Sequence, residues 1–162
     1  MNADYYIKHL QLLPHPEGGY YKETYRSNES VMLKSFEGLR NYSTGIYFLL
    51  QENNFSAFHK IKSDEMWHFY AGDTLEVIEI NLQGELKITS LGKNLEKGET
   101  LQYVVPANIW FASRVKEGGK FSLVGCTVAP GFDFADFEMA KRDELQKSFP
   151  QHSEIVEQLT RS

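Results

Sequence analysis

The chain alternates apolar and polar positions in short runs broken by turn residues. Residues 3–13 follow a helical period, with Tyr6, Leu10 and Leu13 on one face and Pro14 as the stop. After the breaker Gly18-Gly19, Tyr20 to Tyr25 alternate as a first strand. Residues 28–42 are polar and turn-rich and read as a loop. Residues 43–50, STGIYFLL, are apolar on both faces, as in a strand covered on both sides. Strands over 55–61 and 65–71 flank Ser63-Asp64. Others follow over 74–81, 85–91, 101–105, 109–115 and 120–128, each set off by Gly, Pro or Asn signals. Beyond Pro130-Gly131 the spacing predicts a helix over about 136–148, capped by Asp133 or Asp136. Phe137, Ala140, Leu145 and Phe149 lie near its one face, and Ser153 caps a last helix over 154–160. Short strands without βαβ alternation predict an all-β sandwich or barrel, padded outside by an N-terminal helix and C-terminal helices. One domain over 1–162 is expected, with the barrel over about 15–130 and the helical appendage over about 133–160.

Composition narrows the function classes. The net charge of −5 argues against a broad nucleic-acid surface, which needs a basic face. Asp4, Lys8 and His9 interrupt any leader-like run, and no stretch reaches the ~18 apolar residues of a membrane span. A cytoplasmic location is therefore expected. The single cysteine, Cys126, excludes an intrachain disulfide, and its apolar run FSLVGCTV predicts a buried, inert thiol. The aromatic share of 14% suits a β-fold with a lined cavity.

The chemistry concentrates in Phe58–Gly72, FHKIKSDEMWHFYAG. Two strands joined by a turn aim His59 and Glu65 into one cavity. Strand parity puts Glu65, Trp67 and Phe69 on one face and Met66, His68 and Tyr70 on the other. His59, Glu65 and Gly72 have the spacing of the first cupin motif, H-x-H-x(3)-E-x(6)-G. GETLQYVVPANIWF, from Gly98 to Phe111, resembles the second, G-x(5)-P-x-G-x(2)-H. With HPEGGYY at 15–21, IYFLL at 46–50 and CTVAPGFDFADFE at 126–138, the chain resembles the fifth family of the cupin superfamily, long a domain of unknown function. The resemblance implies an RmlC-like jelly-roll barrel, usually a homodimer, with a ligand pocket. Metal cupins hold an ion with three His and one Glu. Here the second His position is Ile61 and the third is Phe111, neither of which ligates. His59 and Glu65 alone make a poor metal site, and parity turns the substitute His68 away. No cofactor is therefore expected, a divalent metal being the lesser alternative. Asn108 replaces the family's glycine after Pro-Ala, and asparagine tolerates left-handed backbone there.

The candidate machinery follows. His59 is the candidate base and Glu65 its partner, the bland alternative being a structural hydrogen bond. Tyr47 and Tyr103 are candidates to return a proton. Trp67, Phe69, Trp110 and Phe111 are candidate lining residues, or else plain core, and His68 is a further ligand contact. Glu17 either reaches the barrel mouth or shapes the start of the first strand with Gly18-Gly19. Arg26 and Arg114 are candidates for an anionic ligand group, or else solvated. Two functions compete: a metal-independent isomerase or epimerase acting on a sugar or nucleotide-sugar-like molecule, and a non-catalytic small-molecule carrier or sensor. A metal-dependent cupin enzyme is the third.

Overall fold

Helix α1 spans Ala3–Leu10 in the computed structural model, which describes Met1–Ser162. Asn2 caps it, accepting the Tyr5 N–H at 3.0 Å. The helix stops earlier than its apolar period suggests. Gln11 turns left-handed at φ 56° and sends its N–H back to the Lys8 carbonyl at 3.3 Å. Leu13–Pro14 then leaves the helix as strand β1, with Leu13 exposed.

The remaining strands are β2 (Tyr20–Arg26), β3 (Ser30–Met32), β4 (Leu39–Asn41), β5 (Thr44–Gln51), β6 (Phe55–Lys60) and β7 (Asp64–Gly72). They continue as β8 (Leu75–Ile80), β9 (Leu86–Leu91), β10 (Gln102–Val105), β11 (Trp110–Val115), β12 (Phe121–Ala129) and β13 (Glu138–Met139). Helices α2 (Arg142–Ser148) and α3 (Ser153–Gln158) close the chain. A six-stranded sheet, β1-β2-β5-β12-β7-β10, faces a five-stranded one, β13-β6-β11-β8-β9, in the antiparallel order of a jelly roll.

Period-two alternation decides what each face meets. On β7, Trp67 and Phe69 are buried between the sheets while Met66 and Tyr70 are exposed. Phe48, Leu50, Phe111 and Val124 join them in the inner core. The outer face of the five-stranded sheet, with Phe58, Ile78, Ile80 and Ala112, packs on Leu145, Val156 and Leu159 of the C-terminal helices. The outer face of the six-stranded sheet packs Leu49, Phe121 and Leu123 on Ala3 and Leu12. Each fully buried side chain of this size contributes roughly 1.5–3 kcal/mol.

Two segments differ from the sequence reading. Residues 28–42 are no plain loop, since β3 and β4 pair as a hairpin. What pins it is Arg40, a buried guanidinium whose Nε and Nη2 donate to Asp136 at 2.8 and 2.9 Å. A charged residue in a polar stretch carries no local sign of burial. The helix expected over 136–148 forms only from Arg142. Asp133 caps a single 3-10 turn at Phe134–Asp136, Asp136 is held by Arg40, and Glu138–Met139 pairs with β6. Long-range partners outcompete a local helical period there. Likewise Ser153 opens α3 without capping it. Asn108 does take the left-handed backbone, at φ 64°, and donates its N–H to the Ile61 carbonyl at 2.8 Å.

Candidate active site

Cross-strand rows build one wall of the site. Tyr21–Phe48–Val124–Phe69 forms a packed apolar row across β2, β5, β12 and β7. The next inward row runs Glu23–Ile46–Cys126–Trp67–Tyr103, and the next Thr44–Val128–Glu65–Val105. Toward β2 these rows do not close on the opposite sheet. A cavity of about 460 Å³ opens between Tyr21, Glu23, Ile46, Cys126, Val128 and Glu65 on this side and His59 and Ile61 on the other. His15, Glu17, Arg26 and Thr44 complete its walls, and Phe132, Asp133 and Phe134 also line it.

The turn before β2 delivers the deepest carboxylate. Gly18 and Gly19 adopt φ 112° and 81°, and a Cβ on either would lie 2.1 Å from the Phe55 carbonyl or 2.7 Å from that of Leu49. Only glycine lets the turn press this close to the sheet. Glu17 is thereby folded inward, only 6% exposed. Its Oε2 lies 3.1 Å from His15 Nδ1 and its Oε1 3.7 Å from His59 Nε2. So Glu17 both reaches the cavity and shapes the start of the strand.

His59 is held on β6 by its own backbone and by rings. Its Nδ1 lies 2.7 Å from the Ala57 carbonyl. Phe111 and Phe137 pack on the imidazole at centroid distances of 4.2 and 5.2 Å. Burial pushes the His59 pKa below its ordinary value, against the pull of Glu17. Burial also pushes Glu65 up to about 7, the Cys126 thiol working against this and the charge of Glu17 adding to it. Cys126 itself is buried and free, its thiol pushed well up by burial and then by Glu65, as an inert thiol requires.

The expected site residues divide. His59, Glu65, Glu17 and Arg26 meet at the cavity. Arg26 arrives already engaged: it donates to Glu23 at 2.6 and 3.3 Å, to Asn41 at 2.8 Å and to the Phe132 carbonyl at 3.1 Å. Trp67, Phe69 and Phe111 face inward but are core, beyond the cavity wall. Tyr103 bonds Glu79 at the far side of the sandwich. Tyr47 lies on the outer face beside Tyr70, ring centroids 6.0 Å apart. His68, also outside, bonds Thr127 at 2.9 Å and Gln102 at 3.1 Å. Trp110 lies under the C-terminal helices with Lys60 over its ring at 4.5 Å. Arg114 pairs with Glu76 at 3.2 Å, away from the cavity. Sequence reasoning had not singled out His15, Tyr21, Glu23, Asp133 or the phenylalanines at 132 and 134. The one local hint was a histidine two residues before Glu17, in the stretch that carries the family resemblance.

Ile61 lines the cavity as bare hydrocarbon and Phe111 packs on His59, so the second and third cupin histidines have no counterpart. No group of three or more His, Cys, Asp or Glu side chains is placed to hold an ion. The residues do not fit the metal of the metal-binding cupins.

Two facing antiparallel sheets in this order, with a ligand-sized opening between them, define a cupin. The likeness extends to oxalate decarboxylase from Bacillus subtilis, with TM-score 0.58 and 16% identity over 90% of this chain and 36% of that one, which is a likeness of fold alone. The chain belongs to the Cupin_5 family of the cupin superfamily (DUF985), whose profile matches residues 4–140. A hypothetical protein from Leishmania major is 37% identical, with TM-score 0.94 and full coverage of both chains. A protein from Shewanella oneidensis is 42% identical, with TM-score 0.91 over 99% of this chain and 98% of that one. An uncharacterised protein of Saccharomyces cerevisiae is 33% identical over 154 residues, 86% of this chain and 76% of its own.

Proposed function

We propose that the cavity binds a small polar molecule of sugar size and moves a proton on it, as a metal-independent isomerase or epimerase does. One observation carries this reading: His59 Nε2 faces Glu17 across 3.7 Å on a cavity that Glu65 also lines. Neutral His59 is the base. Glu17 stabilises the imidazolium after proton uptake. Glu65, whose pKa near 7 lets it hold a proton at working pH, is the acid that returns one. The acid role thus falls to Glu65, because Tyr47 and Tyr103 lie outside the cavity. A homodimer belongs to the same proposal, supported by the family resemblance and by apolar side chains left exposed at Tyr25, Met32 and Leu39.

The test is solvent-deuterium exchange into a ligand selected by thermal shift from a panel of sugars and sugar derivatives. Exchange at one carbon next to a carbonyl is expected, and His59→Gln should slow it about a hundredfold or more while keeping affinity. Saturable binding without exchange would make the protein a carrier or sensor instead. Activity that a chelator removes and one metal restores would sink the metal-independent reading.

A further inference from the structure

Around Glu17 the cavity wall presents acceptors. His59 Nδ1 lies 2.7 Å from a carbonyl, which can only accept, so Nδ1 carries the ring proton and Nε2 of the neutral ring is a bare lone pair. His15 Nδ1 accepts the backbone N–H of Glu17 at 3.2 Å, so the neutral ring has no proton there for Glu17 Oε2, 3.1 Å away. Glu17 Oε2 is buried without a hydrogen-bond partner, and the nearest basic group to Oε1 is that same His59 Nε2 lone pair. A buried carboxylate with no donor is costly and rare.

No lysine or arginine side chain pairs with this carboxylate; its charged-residue neighbours are the two histidines. Arg26, the one guanidinium lining the cavity, has its Nε, Nη1 and Nη2 all committed to Glu23, Asn41 and the Phe132 carbonyl. Glu23, Glu65 and Asp133 add further carboxyl groups to the same walls. A phosphate or carboxylate would meet the carboxylates of Glu17, Glu23 and Asp133 there, with the one guanidinium already engaged.

We infer that the ligand of this cavity carries a protonated amine, seated on Glu17 beside His59. The cation brings the missing donors and cancels the buried charge, and an aromatic face such as that of Tyr21 suits its approach. This deepens the preceding reading and rests on it for the cavity being a ligand site. It replaces phosphate-linked sugars with compact amines, such as amino sugars, as the chemical class.

The experiment follows the His15 and His59 ring nitrogens by NMR in the full chain at pH 7.5. The probes are methylammonium, glucosamine, glucose and inorganic phosphate. Both amines should shift the His59 resonances saturably. Glucose should act about tenfold more weakly than glucosamine or not at all, and phosphate should have no effect. Glu17→Gln should weaken the amine response about ten- to a hundredfold. Phosphate binding at His59, an equal response to glucose and glucosamine, or no response to either amine overturns the inference. The comparison of probes on the unaltered protein decides the matter even if the variant does not fold. Amine binding without deuterium exchange keeps this inference and defeats proton transfer; exchange in a phosphate-bearing ligand does the reverse.

Discussion

Besides Asp136, which Arg40 holds, two carboxylates are buried toward opposite edges of the six-stranded sheet, and their surroundings differ. Glu79 is 5% exposed and accepts the Tyr103 hydroxyl. Glu17 is 6% exposed, and its buried Oε2 accepts no hydrogen bond. The first closes the space between β8 and β10 and behaves as architecture. The second faces a cavity beside a histidine. Depth of burial is the same, so burial alone does not mark a functional acid; an unmet hydrogen-bond capacity on a cavity does.

The comparison can be broken most severely at the wall between the two. Trp67 lies in the row that runs from Glu23 to Tyr103, with Phe48 and Phe111 edge-on to it. Trp67→Ala should cost about 3–5 kcal/mol in denaturant unfolding. A cost within surface-substitution range would mean that the cavity already extends through this row.

Removing the donor at the closed end should cost less. Tyr103→Phe strands Glu79 as a buried acceptor and should destabilise by about 1–3 kcal/mol. Glu17→Gln breaks no hydrogen bond and should change stability by less than about 0.5 kcal/mol, or raise it. Equal costs at the two ends would mean that Glu17 and Glu79 are both architectural.

The pH dependence sharpens it further. Glu65 has a folded pKa raised to about 7. A raised carboxyl contributes stability that is full below its ordinary value and fades as pH rises through the folded one. Glu65→Gln should therefore gain stability on the parent, by about 1–2 kcal/mol after allowance for partial exposure, as pH rises from 5 to 8. Unfolding curves of both proteins across that range provide the check. His59 runs the other way. Its lowered pKa contributes stability above the ordinary imidazole value that is lost as pH falls, so only the difference between variant and parent isolates Glu65.

Much of this arrangement was legible in the chain. Alternation along Glu65–Tyr70 separates inward from outward side chains, and it correctly turned His68 away from the interior. That rule depends only on the pleat of one strand. The same rule did not separate Glu65, on the cavity, from Trp67 and Phe69, in the core. Which inward residue meets open space depends on the height at which the facing sheet closes.

The sequence by itself determined the longer strands, most of their turns, the glycine pair after Glu17 and the hydrocarbon side chains of Ile61 and Phe111 where metal cupins carry histidine. These follow from backbone sterics and side-chain chemistry that act within a few residues. Only the tertiary structure decided that Glu17 lies between His15 and His59, that Cys126 and Glu65 line one cavity, and that Arg40 holds Asp136 where a helix was expected. Each of those contacts joins separate elements. Its position is set by strand order and register, which the whole core stabilises and no short stretch encodes.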